Sequence, residues 1–180
     1  LNHVVENLLD MSRLSSGVLT LKRDWHDLGD VVSVAIESLK KTLSHHKIVV
    51  RESEDMPLVR IDFHLFEQAL SNILINAAIY SPADTEILIE AGISNGQVFL
   101  RVSDQGPGVP ATALPHIFEK FYRVPGSKPG GTGLGLTIAK SIVEAHGGSI
   151  KVQNRSSGGA EFAFCLPLET QPTVPGEPTT

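Results

Sequence analysis

A single cysteine, Cys165, stands in 180 residues, so no disulfide framework can hold this chain together. It lies in FAFCLP, an apparent strand, where a buried and inert thiol is the plain expectation. Positive charge is in the minority: 15 Lys and Arg face 20 Asp and Glu, with no long basic run. Neutralising a nucleic-acid backbone needs the opposite balance, so nucleic-acid binding is not expected. No apolar stretch approaches the ~18 residues a membrane span needs, and no secretory leader is legible. The seven histidines (3, 26, 45, 46, 64, 116 and 146) include no pair at H-E-x-x-H spacing, and one cysteine offers no zinc set. His45 and His46 read as a solvated face, and His146 as a helix C-terminal residue.

What is present is enough hydrophobic residue, 41%, to build one domain with extensions. The chain opens inside a helical pattern and without Met, as a piece of a longer protein would. Leu1, Val4, Val5, Leu8, Leu9, Met11 and Leu14 fall near helical spacing, and Ser16-Gly17 closes that helical stub. So wide an apolar face needs a partner helix. A second helix is expected over 29–44 and short strands over 48–50 and 58–61, then a helix over 63–80 with Asp62 as its N-cap. Strands over 86–91 and 97–103 are joined by Asn95-Gly96, a strong hairpin signal. Residues 104–132 hold five prolines and several glycines, and so long an irregular stretch in a compact domain usually carries function. A helix over 134–146 ends at Gly147-Gly148, and strands over 149–154 and 160–166 follow. Residues 169–180 are rich in Pro and Thr and read as a disordered tail. This order predicts a two-layer α/β sandwich with a mixed sheet and helices on one face.

Three motifs carry candidate chemistry. Asn72 and Asn76 lie one helical turn apart and project from one face. An amide oxygen is a hard, neutral ligand that suits Mg²⁺ arriving with phosphates. Asp104 leaves a strand into Gln105-Gly106-Pro107-Gly108. A carboxylate there can accept from an exocyclic amine such as adenine N6, and would repel the carbonyl of guanine; Gly108 lets the backbone approach a base. Gly131, Thr132, Gly133, Leu134, Gly135, Leu136 and Thr137 open a helix whose N-terminus favours anions, with two hydroxyls at hand. Taken singly, each has an ordinary alternative: asparagines bonded to backbone, an Asp-Gly turn, a flexible loop capping a helix. Two decoys fail. Residues 106–111 fit a dinucleotide fingerprint, but Pro107 and Pro110 remove amides that phosphates would need. The glycine-rich run also lacks the G-x-x-x-x-G-K-[ST] pattern of a P-loop. Phe118, Phe121 and Tyr122 read as anchors of the irregular stretch, as residues at the pocket mouth or equally as core packing; Lys120, Arg123 and Lys128 are near enough in sequence to meet phosphates, with a solvated face as the ordinary alternative for each.

In this order, with IFEKFYR between the last two, the motifs resemble the N, G1, F and G2 boxes of sensor histidine kinases. The resemblance covers roughly residues 1–168, and the combination is specific. It implies the Bergerat, or GHKL, ATP-binding fold and the binding of ATP with Mg²⁺. By resemblance Asn76 would hold Mg²⁺ with Asn72 in support, and Asp104 would bind adenine N6. Tyr80 and Ile117 or Phe118 would line the pocket with Gly106 and Gly108, and Gly131, Gly133 and Gly135 would form a phosphate-facing lid. Residues 1–16 resemble the end of a dimerisation and phosphotransfer helix, which leaves 17–168 as the catalytic domain. LLDMSRLSSG, DFHLFEQAL, DQGPGVP and NRSSGGAEF resemble the potassium-responsive KdpD type. That type implies a homodimeric parent anchored in the inner membrane, this domain in the cytoplasm, and a response regulator of the KdpE type.

Two departures stand out. Such N boxes often carry Lys or Arg three residues after the second Asn, where this chain has Ile79; one phosphate contact is then lost, or supplied from elsewhere by Lys120 or Arg123. No histidine has the phosphoacceptor setting, so the acceptor would lie outside this chain. The resemblance also includes GHKL ATPases, which place a Glu base where Asn72 stands. An amide cannot take a proton from water, so slow hydrolysis is expected. A non-catalytic nucleotide-binding scaffold is the third reading.

Overall fold

The computed structural model describes residues 20–128 and 131–170. The helical stub expected over 1–16 and nearly all of the expected tail lie outside the described residues. The elements run β1 (Asp24–His26), α1 (Leu28–Ser38), β2 (Lys47–Glu52), β3 (Val59–Ile61), α2 (Phe63–Tyr80), β4 (Glu86–Ser94), β5 (Gln97–Ser103), α3 (Gly135–Ala145), β6 (Ser149–Asn154) and β7 (Ala160–Pro167).

Five strands form one sheet in the order β2-β4-β5-β7-β6, and β1 pairs with β3 in a separate two-stranded ribbon. Only β2 and β4 run parallel; the other pairs in both sheets are antiparallel. The sheet is therefore mixed, as expected. Strict alternation separates its faces. Ile87 and Ile89 of β4, Val98, Leu100 and Val102 of β5, and Phe162, Phe164 and Leu166 of β7 are buried. They pack in one cluster with the buried faces of α1, α2 and α3. Phe66 of α2 and Phe164 of β7 are fully buried with ring centroids 5.7 Å apart, and each such side chain contributes about 1.5–3 kcal/mol by leaving water.

Local chemistry sets the ends of the elements. Asp62 caps α2, its Oδ1 accepting the Leu65 N–H at 3.3 Å. Asn95 and Gly96 both take positive φ, +52° and +71°, as a two-residue hairpin turn requires. The helix expected to reach residue 44 stops at Ser38. Leu39 and Leu43 are still buried, so the apolar spacing was real, but turns rather than helix satisfy it. The ribbon strand β1 carried no periodic signal because it is three residues long. Cys165 is a further correction. It alternates with Phe164 and Leu166 and so faces the open side of the sheet, half-buried rather than buried.

His146 ties the end of α3 to the start of α2. It is 2% exposed, and its Nε2 accepts the Asp62 N–H at 2.9 Å. A backbone amide can only donate, so the ring proton is on Nδ1, which donates to the Ile142 carbonyl at 2.7 Å. Burial holds its pKa below the usual histidine value, against a smaller opposing effect of the Ile142 hydrogen bond.

Candidate functional site

The first half of the site is built where β5 ends. Asp104 is 5% exposed, and backbone N–H groups hold its carboxylate. Its N–H donates to the Ala160 carbonyl at 2.9 Å. Its Oδ1 accepts from Gly106 at 2.8 Å and from Ala160 at 3.1 Å. Oδ2 is the oxygen these bonds leave over, and an acceptor-only oxygen held this rigidly selects for a donor. The surrounding glycines are there for space. A Cβ on Gly106 would stand 3.0 Å from the Tyr80 carbonyl oxygen, and one on Gly159 would stand 2.0 Å from that of Asp104.

The second half forms where α3 begins against α2. Asn72 is 7% exposed, and its Nδ2 has no hydrogen-bond partner among the described residues. Buried amide groups are nearly always paired, so an orphan of this kind asks for a ligand. Beside it is Gly135, whose Cβ would come 3.5 Å from Asn72 Oδ1. Leu134 precedes α3 without a side-chain cap, and the first turn of α3 carries no acidic residue. The positive end of that helix is thus left unneutralised. Asn76, one turn further along α2, is half-buried and makes no side-chain hydrogen bond to another described residue. An orphan donor, a free amide and an open helix N-terminus together fit a magnesium-bound polyphosphate. At about 1.5 Å rise per residue, Asn72 and Tyr80 lie ~12 Å apart along α2. The two halves therefore suit a long ligand with a base at one end and negative charge at the other.

The stretch between Asp104 and α3 is pinned at several points. Ile117 is 6% exposed and Leu134 1%, both in the core cluster. Phe118 stands edge-on to Phe162, and its carbonyl accepts the Thr137 hydroxyl at 3.0 Å. Leu136 is partly buried against the core. Ile117, Phe118, Leu134, Leu136 and Thr137 thus hold both ends of this stretch to the domain. Phe121 takes φ +63°, a strained setting for an aromatic residue, and its N–H donates to Gly133 at 3.0 Å. Only glycine fits at 133, because a Cβ there would lie 2.7 Å from the Phe121 carbonyl carbon. Thr132 Oγ1 accepts the Leu134 N–H at 3.3 Å, and Gly131 is exposed in open space. Arg123 bonds the Lys128 carbonyl and the Ser127 hydroxyl, and Lys120 is exposed. Lys128 reaches the C-terminal end of α2, where its ammonium donates to the Ile79 carbonyl.

The sequence reading missed Asn154, Arg155 and Gly159. Arg155 Nη1 donates to the Asp104 carbonyl at 2.9 Å, and Asn154 bonds the loop that follows Asp104. Asn154 read as the end of a strand and Arg155 and Gly159 as the connection to the next; the paired glycines at 158 and 159 were the one signal that a close approach was needed.

The family described as histidine kinase-, DNA gyrase B- and HSP90-like ATPase matches residues 61–170. The sensor protein KdpD of Clostridium acetobutylicum is 41% identical over 170 residues, covering 92% of this chain and 19% of that protein. KdpD of Escherichia coli is 42% identical over 174 residues, covering 95% of this chain and 19% of that protein. The chain therefore spans about a fifth of the length of these curated relatives. A solved structure of full-length ShkA in complex with AMPPNP superposes with a TM-score of 0.81 at 28% identity, over 95% of this chain and 36% of that one.

Proposed function

From the premise that this chain belongs to the family of histidine kinase-, DNA gyrase B- and HSP90-like ATPases, we propose that it is the catalytic domain of a two-component sensor histidine kinase. The observation that carries the proposal is the buried Asn72 amide nitrogen, without a partner among the described residues, beside the uncapped start of α3 and on the helix whose last residue, Tyr80, lies against the Asp104 loop. Asp104 accepts from the adenine amine, with Gly106, Gly108 and Tyr80 around the base. The amides that open α3 and the lid glycines at 131, 133 and 135 face the phosphates. Asn76, supported by Asn72, would hold Mg²⁺, which when bound supplies charge neutralisation to the phosphates.

The reaction is phosphoryl transfer to a histidine outside this chain. An imidazole nitrogen forms the N–P bond as the bond from the γ-phosphorus to its bridging oxygen breaks. ADP leaves with the electron pair, and the imidazole proton passes to water. The domain contributes positioning and electrostatics rather than covalent chemistry. Asn72 stands where hydrolytic relatives would need a base, and an amide cannot serve as one. The KdpD-type relatives support a response regulator of the KdpE type as the next acceptor. They also support a homodimeric parent anchored in the membrane; among the described residues no helix is long and apolar enough to cross one. Residues 17–168 would be the catalytic domain and the stub at 1–16 the end of the dimerisation helix.

The test is calorimetric titration with ATP and with GTP, each with and without Mg²⁺, followed by incubation of labelled ATP with a supplied phosphoacceptor domain. ATP-selective, Mg²⁺-enhanced binding and acid-labile label on the acceptor histidine are expected. Binding without transfer would reduce the chain to a scaffold, and rapid phosphate release without an acceptor would make it a hydrolase.

A further inference from the structure

Asn154 does something that a turn residue need not do. Its Oδ1 accepts the Val109 N–H at 2.8 Å, and its Nδ2 donates to the Val109 carbonyl at 2.7 Å. A side-chain amide has one donor and one acceptor group spaced like a peptide unit, so it pairs with both backbone groups of one residue, as a neighbouring strand would. Asn154 is the last residue of β6, and its register partner on β7 is Ala160. Ala160 is also the residue that grips Asp104 at both its N–H and its carboxylate. The loop of residues 104–109 is therefore stitched at each end to one pair of residues in the β6–β7 hairpin: Asp104 to Ala160, and Val109 to Asn154.

The interior of the loop is shaped to the same clamp. Gly108 has φ +76°, and a Cβ there would lie 2.7 Å from Asn154 Oδ1. The Gly106 N–H is spent on Asp104 Oδ1, so the loop's geometry and the carboxylate's rotamer depend on each other. Arg155 holds the Asp104 carbonyl from the same turn. Asn154 itself is exposed, outside the hydrophobic core. Its bonds contribute little to the core and bear mainly on where the loop sits.

We infer that Asn154 is a positioning residue for base selection: by pairing with both backbone groups of Val109 it fixes the loop that aims Asp104, so discrimination of ATP from GTP depends on this amide. The inference rests on the reading of Asp104 as the base-recognising carboxylate. Asp could replace only the acceptor half of the clamp, and Leu neither half.

The experiment is titration of the whole chain with ATP and with GTP for the parent, Asn154→Leu, Asn154→Asp and Asp104→Asn, alongside thermal melts. Losing two hydrogen bonds that aim the carboxylate should weaken ATP about tenfold in Asn154→Leu, with GTP little changed, so that the ATP:GTP ratio falls by a similar factor. Asn154→Asp should fall between, and the melting temperature of both should stay near the parent's. Gly108→Ala breaks the clamp from the opposite side and should lower the same ratio; it decides the matter if Asn154→Leu does not fold. A parent-like ATP:GTP ratio in the folded variants overturns the inference, as does loss of stability with no change in ratio. If Asp104→Asn itself binds ATP like the parent, the underlying assignment of Asp104 is what has failed. If Asp104→Asn loses ATP and Asn154→Leu does not, only the positioning role has.

Discussion

Replacing Asn72 with Ala should make the free domain no less stable while it weakens nucleotide binding. The side chain is 7% exposed on the interior of α2, with an amide nitrogen that meets no acceptor among the described residues. Leaving a buried donor unsatisfied costs about 1–3 kcal/mol, all of which the substitution removes. Alanine also improves helix propensity by roughly 0.5 kcal/mol. Against this stands the lost packing of the carboxamide and the small cavity it leaves, about 1 kcal/mol. The balance is a gain of about 0.5–2.5 kcal/mol, which in a domain of this size raises the melting temperature by a few degrees, at roughly 2–4 °C per kcal/mol. Thermal melts without nucleotide would measure this, and titration with ATP and Mg²⁺ on the same samples should show affinity lost. A residue kept for the fold behaves in the opposite way. A melting temperature several degrees lower, with ATP affinity intact, would refute the argument that this amide is held in reserve for a ligand.

Other predictions follow from single positions. Gly159→Ala places a methyl group 2.0 Å from the Asp104 carbonyl oxygen at φ +87°, whereas Gly158→Ala, at φ +91°, meets nothing within 4 Å. Both should incur the left-handed backbone cost of about 1–2 kcal/mol, and only Gly159→Ala the further ~1–3 kcal/mol of overpacking, visible in parallel denaturant melts. His146 is buried with its pKa lowered, so the unfolded chain binds its proton more readily than the folded one. Stability from this group is complete above about pH 6.5 and declines as the pH falls below it, by at most ~1.4 kcal/mol per pH unit for one proton. His146→Gln has no titrating ring and should show a shallower loss of stability between pH 7.5 and pH 5.5. Asn76→Ala should leave the melting temperature within a few degrees, since that side chain bonds to no described residue. It should abolish the increase in ATP affinity on adding Mg²⁺, and persistence of that increase would remove Asn76 from the metal site.

Much of this protein could be read from one dimension because its signals are local. Asp62 as a cap and Asn95-Gly96 as a hairpin depend on near neighbours alone and appear where the pattern put them; the strands expected over 86–91, 97–103 and 160–166 form as well, the first running on to Ser94. The spacing of Asn72 and Asn76 already placed two amides on one helix face, and the DQGPG and GTGLGL runs marked where backbone would be laid bare. Tertiary structure decided the rest. Where α1 stopped was settled by turns that bury Leu39 and Leu43 without a helix. The side of the sheet that Cys165 faces followed from strand register, which a hydrophobic run cannot report. The Asn72 donor is orphaned only because α3 packs its open end beside it, 63 residues further along the chain at Gly135. The support of Asp104 by Ala160, Arg155 and, through Val109, Asn154 joins segments some 45–56 residues apart, and nothing in the spacing of those residues announces it. Sequence fixes what each segment prefers over a few residues, through torsional limits and side-chain periodicity. Which polar groups are left unpaired, and so free to bind a ligand, depends on burial, and burial exists only once distant segments have packed.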